Sequence, residues 1–217
     1  VATDKTGTLT VNELTVREVR LASRQTLTVT GEGFEPRGEV LESGSPVELG
    51  NQPALNSLVR AGVLCNESDL HQRNGHWEWR GDAVDIALLS LGHKLGQQRE
   101  ASLGAHPQVN EIPFESEHQY AATFHEIDGE VRVFVKGAPE RILSMCTAGD
   151  DNARLEAIAL EMAGRGFRVL ALAEGEGEAG AHPSQTAPEP AELTFLVFVG
   201  MIDPLRFGVR DAVQTCH

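Results

Sequence analysis

The stretch QYAATFHEIDGEVRVFVKG constrains the fold of this 217-residue chain more than any other segment. Apolar and polar residues alternate on both sides of Asp128-Gly129, a dipeptide typical of the two-residue turn of a β-hairpin. Two strands joined by so short a turn must run antiparallel. The middle of the chain is therefore predicted to contain an antiparallel sheet.

Other segments extend this pattern into an α+β fold, an antiparallel sheet with flanking helices. Apolar residues at helical spacing predict four helices, with Asp82 as the N-cap of the second; they are PALNSLVRAGVLC, DAVDIALLSLGHKL, APERILSMC and ARLEAIALEMAGRG. Alternation and β-branched content predict further strands at ELTVREVRLA, QTLTVTG, HWEWR, FRVLALAEGE and LTFLVFVGMI. The last of these is about half as long as a membrane span. Residues 174–192, rich in Gly, Ala, Pro and Glu, predict a flexible exposed loop.

Composition narrows the possible partners. The net charge of −14 disfavours nucleic acid and anionic membrane surfaces, so an anionic ligand would need local positive groups. Cys65, Cys146 and Cys216 are far apart and form no CxxC pair, which argues against a disulfide framework or a zinc site. The eight histidines show no tight pairing and are predicted to be on the surface or otherwise incidental.

The two ends of the chain each look like half of an α/β unit. VATDKTGTLT reads as a strand end followed by a glycine turn, and LTFLVFVGMIDPLR reads as a strand, a proline turn and the approach to a helix. We expect the two ends to lie side by side in one parallel sheet. The middle of the chain would then be a large insertion domain carried on a truncated base.

The segment DKTGTLT carries the most reactive-looking chemistry. Asp4 could attack phosphorus and form an aspartyl-phosphate, while backbone amides and threonine hydroxyls donate to the transferring oxygens. A divalent cation such as Mg²⁺ would offset the accumulated negative charge. On residue types alone, a hydrophilic turn between two strands is an equally good interpretation.

DKTGTLT resembles, residue for residue, the phosphorylation motif of the P-type ATPases, ion pumps that pass through an aspartyl-phosphate. VFVKGAPE is similar to the nucleotide-domain signature of these pumps, and GMIDPLR to their returning hinge. LCNES, RGDAVDIALL and IPFESE resemble blocks of the calcium-pump-like branch, in the same order. The resemblance covers essentially the whole chain.

This resemblance implies an architecture. Residues 1–12 would belong to a phosphorylation domain with the haloacid-dehalogenase fold, residues 13–202 would be the inserted nucleotide-binding domain, and residues 203–217 would return to the first domain. It also implies a place on the cytoplasmic face of a membrane, with this fragment itself soluble. The implied partners are ATP or ADP, membrane helices, an actuator domain and the remainder of the phosphorylation domain.

The resemblance also implies site residues. Catalysis would use Asp4, Lys5, Thr6 and Thr8, and Mg²⁺ would be held in part by Asp4 and Thr6. ATP would be bound by Asp85, Phe114, Lys136, Gly137, Arg168, Asp203 and Arg206. Within this set, Phe114 would stack on adenine, Asp85 would meet the adenine amino group, and Arg168 would meet the phosphates.

Each of these assignments competes with a structural alternative. In the structural alternative, Phe114 is a core residue and Asp85 belongs to a solvated helix face. Lys136 and Arg168 are then exposed cations on strands. The chain also departs from the family pattern, since Asp85 stands where the longer glutamate is common. A shorter carboxylate could fall short of the base.

Three functions stay open from the sequence. The chain could be the catalytic part of an ATP-driven cation pump, a nucleotide-binding module without turnover, or a soluble haloacid-dehalogenase phosphatase. The third is disfavoured because Thr6 stands where most such phosphatases have a second aspartate. The family's later aspartate-rich loop would fall beyond His217, so the chain by itself is expected to bind nucleotide with little ATPase activity.

Overall fold

The computed structural model describes residues 10–11, 13–50, 52–147, 151–177, 187–204 and 209. Several predictions fall outside these residues, namely those on Asp4, Lys5, Thr6, Thr8, residues 178–186, Arg206 and the C-terminal helical segment. The strands are β1 (Thr15–Leu21), β2 (Thr26–Val29), β3 (Val40–Glu42), β4 (Ser45–Pro46), β5 (Asp69–Arg73), β6 (His76–Arg80), β7 (Gln108–Ile112), β8 (Tyr120–Ile127), β9 (Glu130–Gly137), β10 (Arg168–Glu176) and β11 (Thr194–Ile202). The helices are α1 (Pro53–Leu64), α2 (Ala83–Lys94), α3 (Arg99–Ala105), α4 (Pro139–Met145) and α5 (Asn152–Gly164).

Within the described residues, nine strands form one antiparallel sheet in the order β4-β3-β2-β1-β11-β10-β9-β8-β7. The other two strands, β5 and β6, form a separate hairpin. The predicted antiparallel sheet is therefore confirmed. The strand LTFLVFVGMI, which we expected in a parallel sheet with the N-terminal end, is instead β11 of this sheet, antiparallel to both β1 and β10.

Helices cover both faces of this sheet. Along β9, Phe134 packs with α1 and α2 on one face, while Val133 and Val135 pack with α4 and α5 on the other. On β11, Val197 and Phe198 divide between the same two cores. Because both faces of the central strands are covered, β11 is buried along nearly its whole length. This explains why its sequence is a continuous apolar run instead of an alternation.

Local sequence signals correctly predicted where several helices and strands begin or end. Asp82 caps α2, its carboxylate accepting a hydrogen bond from the Val84 amide at 2.8 Å. Asp128 and Gly129 both have positive φ, 53° and 84°, as the predicted turn between β8 and β9 requires. Pro53 begins α1, where its missing N–H costs nothing.

Other elements differ from the sequence prediction. The predicted strand HWEWR is β6, but its partner β5, which precedes the turn at Asn74-Gly75, was not predicted. Strands β3, β4 and β7 and helix α3 carry too weak a pattern to be predicted. His125 departs from the expected surface position, since it is fully buried in β8 and its Nδ1 lies 3.0 Å from the His106 carbonyl oxygen.

Two cations fasten the loop that follows β2. Lys94, at the end of α2, donates from Nζ to the Thr30 carbonyl at 2.8 Å, and Arg17 donates to the Gly31 carbonyl at 2.7 Å. Burial, with a smaller contribution from the positive charge of Arg17, lowers the pKa of Lys94 to about 8.

This low pKa predicts a pH-dependent stability. Between about pH 8 and pH 10 the unfolded chain holds more protons on Lys94 than the folded chain does, so the free energy of unfolding rises with pH. We expect it to rise about 1–2 kcal/mol more in the wild type than in Lys94→Met across this range, after allowance for solvent screening. Urea unfolding at several pH values measures the difference between the two proteins; a difference that does not vary with pH would contradict the prediction.

Candidate functional site

A cavity of about 690 Å³ opens where α2 begins, where β9 ends and where β10 begins. Five of the residues predicted to bind nucleotide line it: Asp85, Phe114, Lys136, Gly137 and Arg168. They come from segments that are far apart in the sequence, and the sheet brings them together. The lining combines two cationic side chains, an aromatic ring and backbone groups with the carboxylates of Glu67, Asp82, Asp85 and Glu140.

Asp85 and Lys136 form a buried ion pair in this cavity. Asp85 lies in the first turn of α2, and its Oδ1 accepts a hydrogen bond from Nζ of Lys136 on β9. The two side chains are only 7% and 9% exposed, respectively. The alternatives of a solvated helix face for Asp85 and of an exposed strand-end lysine for Lys136 are therefore wrong.

The second carboxylate oxygen of Asp85 is also engaged. Its Oδ2 accepts a hydrogen bond from the Glu67 amide at 3.0 Å. The segment that carries this amide is held in turn by Asn66, whose side chain donates to the Asp85 carbonyl at 2.9 Å. Arg99 donates two hydrogen bonds to the Asn66 carbonyl, at 2.6 and 3.1 Å. Sequence reasoning missed Asn66 and Arg99, although Asn66 lies within the LCNES block.

Cys65 lies directly beneath this pair. It is fully buried, and its Sγ lies 3.5 Å from the Ala121 carbonyl oxygen. Burial raises the pKa of the thiol to about 11. The group is therefore a protonated packing residue at neutral pH and not a nucleophile.

Phe114 and Gly137 shape the wall of the cavity. Phe114 follows β7 and is 58% exposed, so the alternative of a core phenylalanine is wrong. Gly137 ends β9 close to the backbone just before β8: a Cβ atom at this position would lie 2.4 Å from the Gln119 carbonyl oxygen. Only glycine allows this approach without displacing the backbone.

Arg168 lies between this cavity and a second one of about 610 Å³. The second cavity is lined by Phe34 and Trp79, whose rings meet edge to face at 5.6 Å, and by Asp203. Asp203 is thus not on the wall of the first cavity. Sequence reasoning missed Phe34 and Trp79, because neither belongs to a motif.

The two ends of the described chain meet near Asp203. Thr10 donates from its hydroxyl to Oδ2 of Asp203 at 2.6 Å, and the Val11 amide donates to the Pro204 carbonyl at 3.0 Å. Residues on either side of these, including Asp4 and Arg206, are not described.

Two features are absent from the described residues. No group of three or more His, Cys, Asp or Glu side chains among them could hold a metal ion. None of the helices in the same part of the chain is long and apolar enough to cross a membrane.

The fold and the cavity define a class: an antiparallel-sheet domain covered by helices on both faces, with a concave site lined by charged, aromatic and backbone groups. The chain belongs to the family described as P-type ATPase, cytoplasmic domain N, whose model matches residues 54–208. The resemblance noted in the sequence is therefore confirmed.

Individual relatives support the same assignment. The chain is 36% identical over its whole length to the cation-transporting ATPase pma1 of Synechocystis sp. and 29% identical to a calcium-transporting ATPase of Bacillus subtilis. It is 33% identical, over 99% of its length, to calcium-transporting ATPase type 2C member 1 of Mus musculus. The chain spans about a quarter of the length of each of these relatives.

Proposed function

We propose that this chain is the nucleotide-binding part of an ATP-driven cation pump and that ATP or ADP binds in the 690 Å³ cavity. The observation that carries the proposal is the convergence of Phe114, Lys136 and Arg168 on that cavity. The chain has a net charge of −14, so a site for an anionic nucleotide has to concentrate positive groups locally. The positive groups in this cavity are the Lys136 ammonium, which is paired with Asp85, and the Arg168 guanidinium, and they lie beside the carboxylates of Glu67, Asp82 and Glu140.

The shape of the cavity suggests how the ligand lies. Phe114 is exposed at the rim, where an aromatic ring can stack on a base. Gly137 lets the end of β9 pack closely against the Gln119 backbone at the cavity wall, and Lys136 lies at the floor. Arg168 stands at the exit toward the second cavity, where its planar guanidinium can bind phosphate oxygens in a bidentate manner.

In the whole pump, Asp4 is proposed to accept the transferred phosphoryl group as an aspartyl-phosphate. Lys5, Thr6 and Thr8 would donate to the transferring oxygens. Oxygen donors of Asp4 and Thr6 are of the type that Mg²⁺ prefers, and the ion would neutralise developing charge. Asp203 and Arg206 would complete the nucleotide contacts.

The domain organisation is part of the same proposal. Residues 1–12 and 203–217 would belong to a haloacid-dehalogenase-like phosphorylation domain, and residues 13–202 would be its insertion. The hydrogen bonds of Thr10 with Asp203 and of Val11 with Pro204 support this division, because they bring together the two segments that would connect the insertion to the phosphorylation domain. Membrane helices, an actuator domain and the rest of the phosphorylation domain would be the partners.

A narrower activity is proposed for the chain on its own: nucleotide binding without turnover. The chain corresponds to about a quarter of its relatives' length, so most of such a pump lies elsewhere. Phosphate release by the purified chain, measured with ATP and Mg²⁺, is expected to stay at background. Sustained release that is abolished by Asp4→Asn would overturn this part of the proposal.

Titration tests the site itself. Adding ADP to the ¹⁵N-labelled chain is expected to shift the amide signals of Lys136 and Gly137. Arg168→Ala is expected to weaken ADP about tenfold, as loss of a charge-assisted contact does, and to leave adenosine nearly unchanged. The control is Arg73→Ala, an exposed arginine on β5 outside the cavity lining. No shift at Lys136 or Gly137, or equal losses for the two arginine variants, would refute the site.

A further inference from the structure

We infer that the two cavities together form one elongated site for a ligand with two bases joined through phosphates, a dinucleoside polyphosphate. The first base would lie in the 690 Å³ cavity and the second base in the 610 Å³ cavity, with the phosphates between them. This inference rests on the proposed function, because the first base would occupy the site proposed for ATP or ADP. It goes beyond that function by giving the second cavity a ligand group of its own.

The first argument is that the two cavities adjoin. Gly81, Asp82 and Arg168 line both of them, so a ligand can extend from one cavity into the other along these residues. Trp79 of the second cavity precedes Asp82 by only three residues, which a fully extended chain spans in at most about 11 Å. A ligand anchored in the first cavity therefore needs only a short linker to reach Trp79.

The second argument concerns exposed apolar surface. Among the described residues, four large apolar side chains are exposed, and three of them line these cavities: Phe114 in the first, and Trp79 and Ile202 in the second. Trp79 is 41% exposed and meets Phe34 edge to face at 5.6 Å between ring centroids. Phe34 is itself buried, so it holds the indole in place while part of the indole stays open to a ligand. Each cavity therefore presents an aromatic ring on which a base can stack.

The rest of the second cavity favours a base over a further phosphate group. Two carboxylates, those of Asp82 and Asp203, line this cavity and would repel a phosphate placed beside them. The amino group of a base can instead donate to a carboxylate oxygen. Buried apolar side chains complete the lining, namely Leu14, Ile86 and Met201.

The third argument is the position of Arg168 between the two cavities. A guanidinium group binds phosphate oxygens in a bidentate manner. Among the described residues that line the second cavity, Arg168 is the only lysine or arginine, so the phosphates are expected at the junction and not deeper in that cavity. The order of ring, guanidinium and ring in the protein matches the order of base, phosphates and base in the ligand.

Titration calorimetry on the full 217-residue chain tests the inference with two ligands that differ in the second nucleoside. Diadenosine tetraphosphate carries a nucleoside at each end, whereas adenosine tetraphosphate has the same number of phosphates and a nucleoside at one end only. The dinucleotide is expected to bind one per chain and about tenfold more tightly, because stacking of one base on an aromatic ring contributes a factor of that order. A difference smaller than about threefold in the wild type would overturn the inference.

Variants of Trp79 identify where the second base binds. Trp79→Ala is expected to bring the two affinities within about twofold of each other, and Trp79→Phe, which keeps a ring, to retain most of the difference. The affinity for adenosine tetraphosphate reports whether each variant keeps the first cavity intact. Leu160→Ala is the matched control, because Leu160 is an exposed apolar residue on α5 outside both cavities, and it is expected to leave the difference unchanged. A difference that persists in Trp79→Ala would overturn the inference.

The outcomes also distinguish this inference from the proposed function. If neither ADP nor adenosine tetraphosphate binds the wild type, the nucleotide site is refuted and the inference with it. If both bind and the dinucleotide has no advantage, only the inference is refuted. If thermal unfolding shows that Trp79→Ala does not fold, tryptophan fluorescence of the wild type and Trp79→Phe decides instead. The dinucleotide is expected to quench the wild type more than adenosine tetraphosphate does and to lose this excess in Trp79→Phe; equal quenching by the two ligands in the wild type would overturn the inference.

Discussion

Replacing Gly137 by alanine is expected to destabilise the chain by about 2–3 kcal/mol, the cost of forcing an extra group into a packed region, and to abolish measurable ADP binding. The added Cβ would lie 2.4 Å from the Gln119 carbonyl oxygen and 2.9 Å from the Cα atom of Tyr120. Both are backbone atoms, which cannot rotate away as the end of a flexible side chain can. The strand pair β8–β9 would have to separate at the cavity wall.

The separation would also break a specific hydrogen bond. The same Gln119 carbonyl accepts from the Ala138 amide at 3.0 Å, which fixes the turn from β9 into α4. Displacing this carbonyl therefore moves the residues that border the cavity on two sides. Loss of stability and loss of ligand binding are expected to appear together.

Gly104→Ala is the matched control for this prediction. Gly104 lies in α3, and a Cβ atom there would meet nothing within 4 Å. This variant is expected to gain about 0.5–1 kcal/mol, since alanine is the better helix former, and to bind ADP normally. Urea unfolding and ADP titration of both variants measure the contrast; equal unfolding midpoints would contradict the steric argument.

The parts of the fold that could be predicted are those with local signals. The turn at Asp128-Gly129, the cap at Asp82 and the apolar run of β11 each depend on neighbouring residues, and each was correct. Strands β5 and β7 depend instead on a partner strand, since β5 is mostly exposed, β7 has no fully buried residue, and no apolar pattern marks either. Helix α3 likewise buries no residue of its own.

The sequence predicted which residues belong to the candidate site, but not how they are arranged in it. Family resemblance pointed to Asp85 and Lys136, but nothing in either segment indicates that residues 51 positions apart pair with each other. That pairing follows from the order of strands in the sheet and from the way α2 packs, which are tertiary properties. The exposure of Phe114 was equally hidden, because a phenylalanine after a proline is as consistent with a core as with a rim.

Breaking the Asp85–Lys136 pair is expected to have the largest effect on stability. Asp85→Asn or Lys136→Met alone is expected to lower the free energy of unfolding by about 3–5 kcal/mol, because each leaves one buried charge without its partner. The double variant is expected to lie within about 1 kcal/mol of the wild type, since no uncompensated charge remains. Urea unfolding of the wild type, the two single variants and the double variant measures the coupling free energy between the two side chains directly.

The salt dependence of the same proteins provides the control. A buried pair is poorly screened, so the wild-type stability conferred by Asp85 is expected to persist at 1 M salt. Asp69→Asn, on the exposed β5–β6 hairpin, is expected to change stability by no more than about 0.5 kcal/mol under either condition. If the two single variants instead cost no more than this control, the prediction that the buried pair stabilises the fold would be wrong.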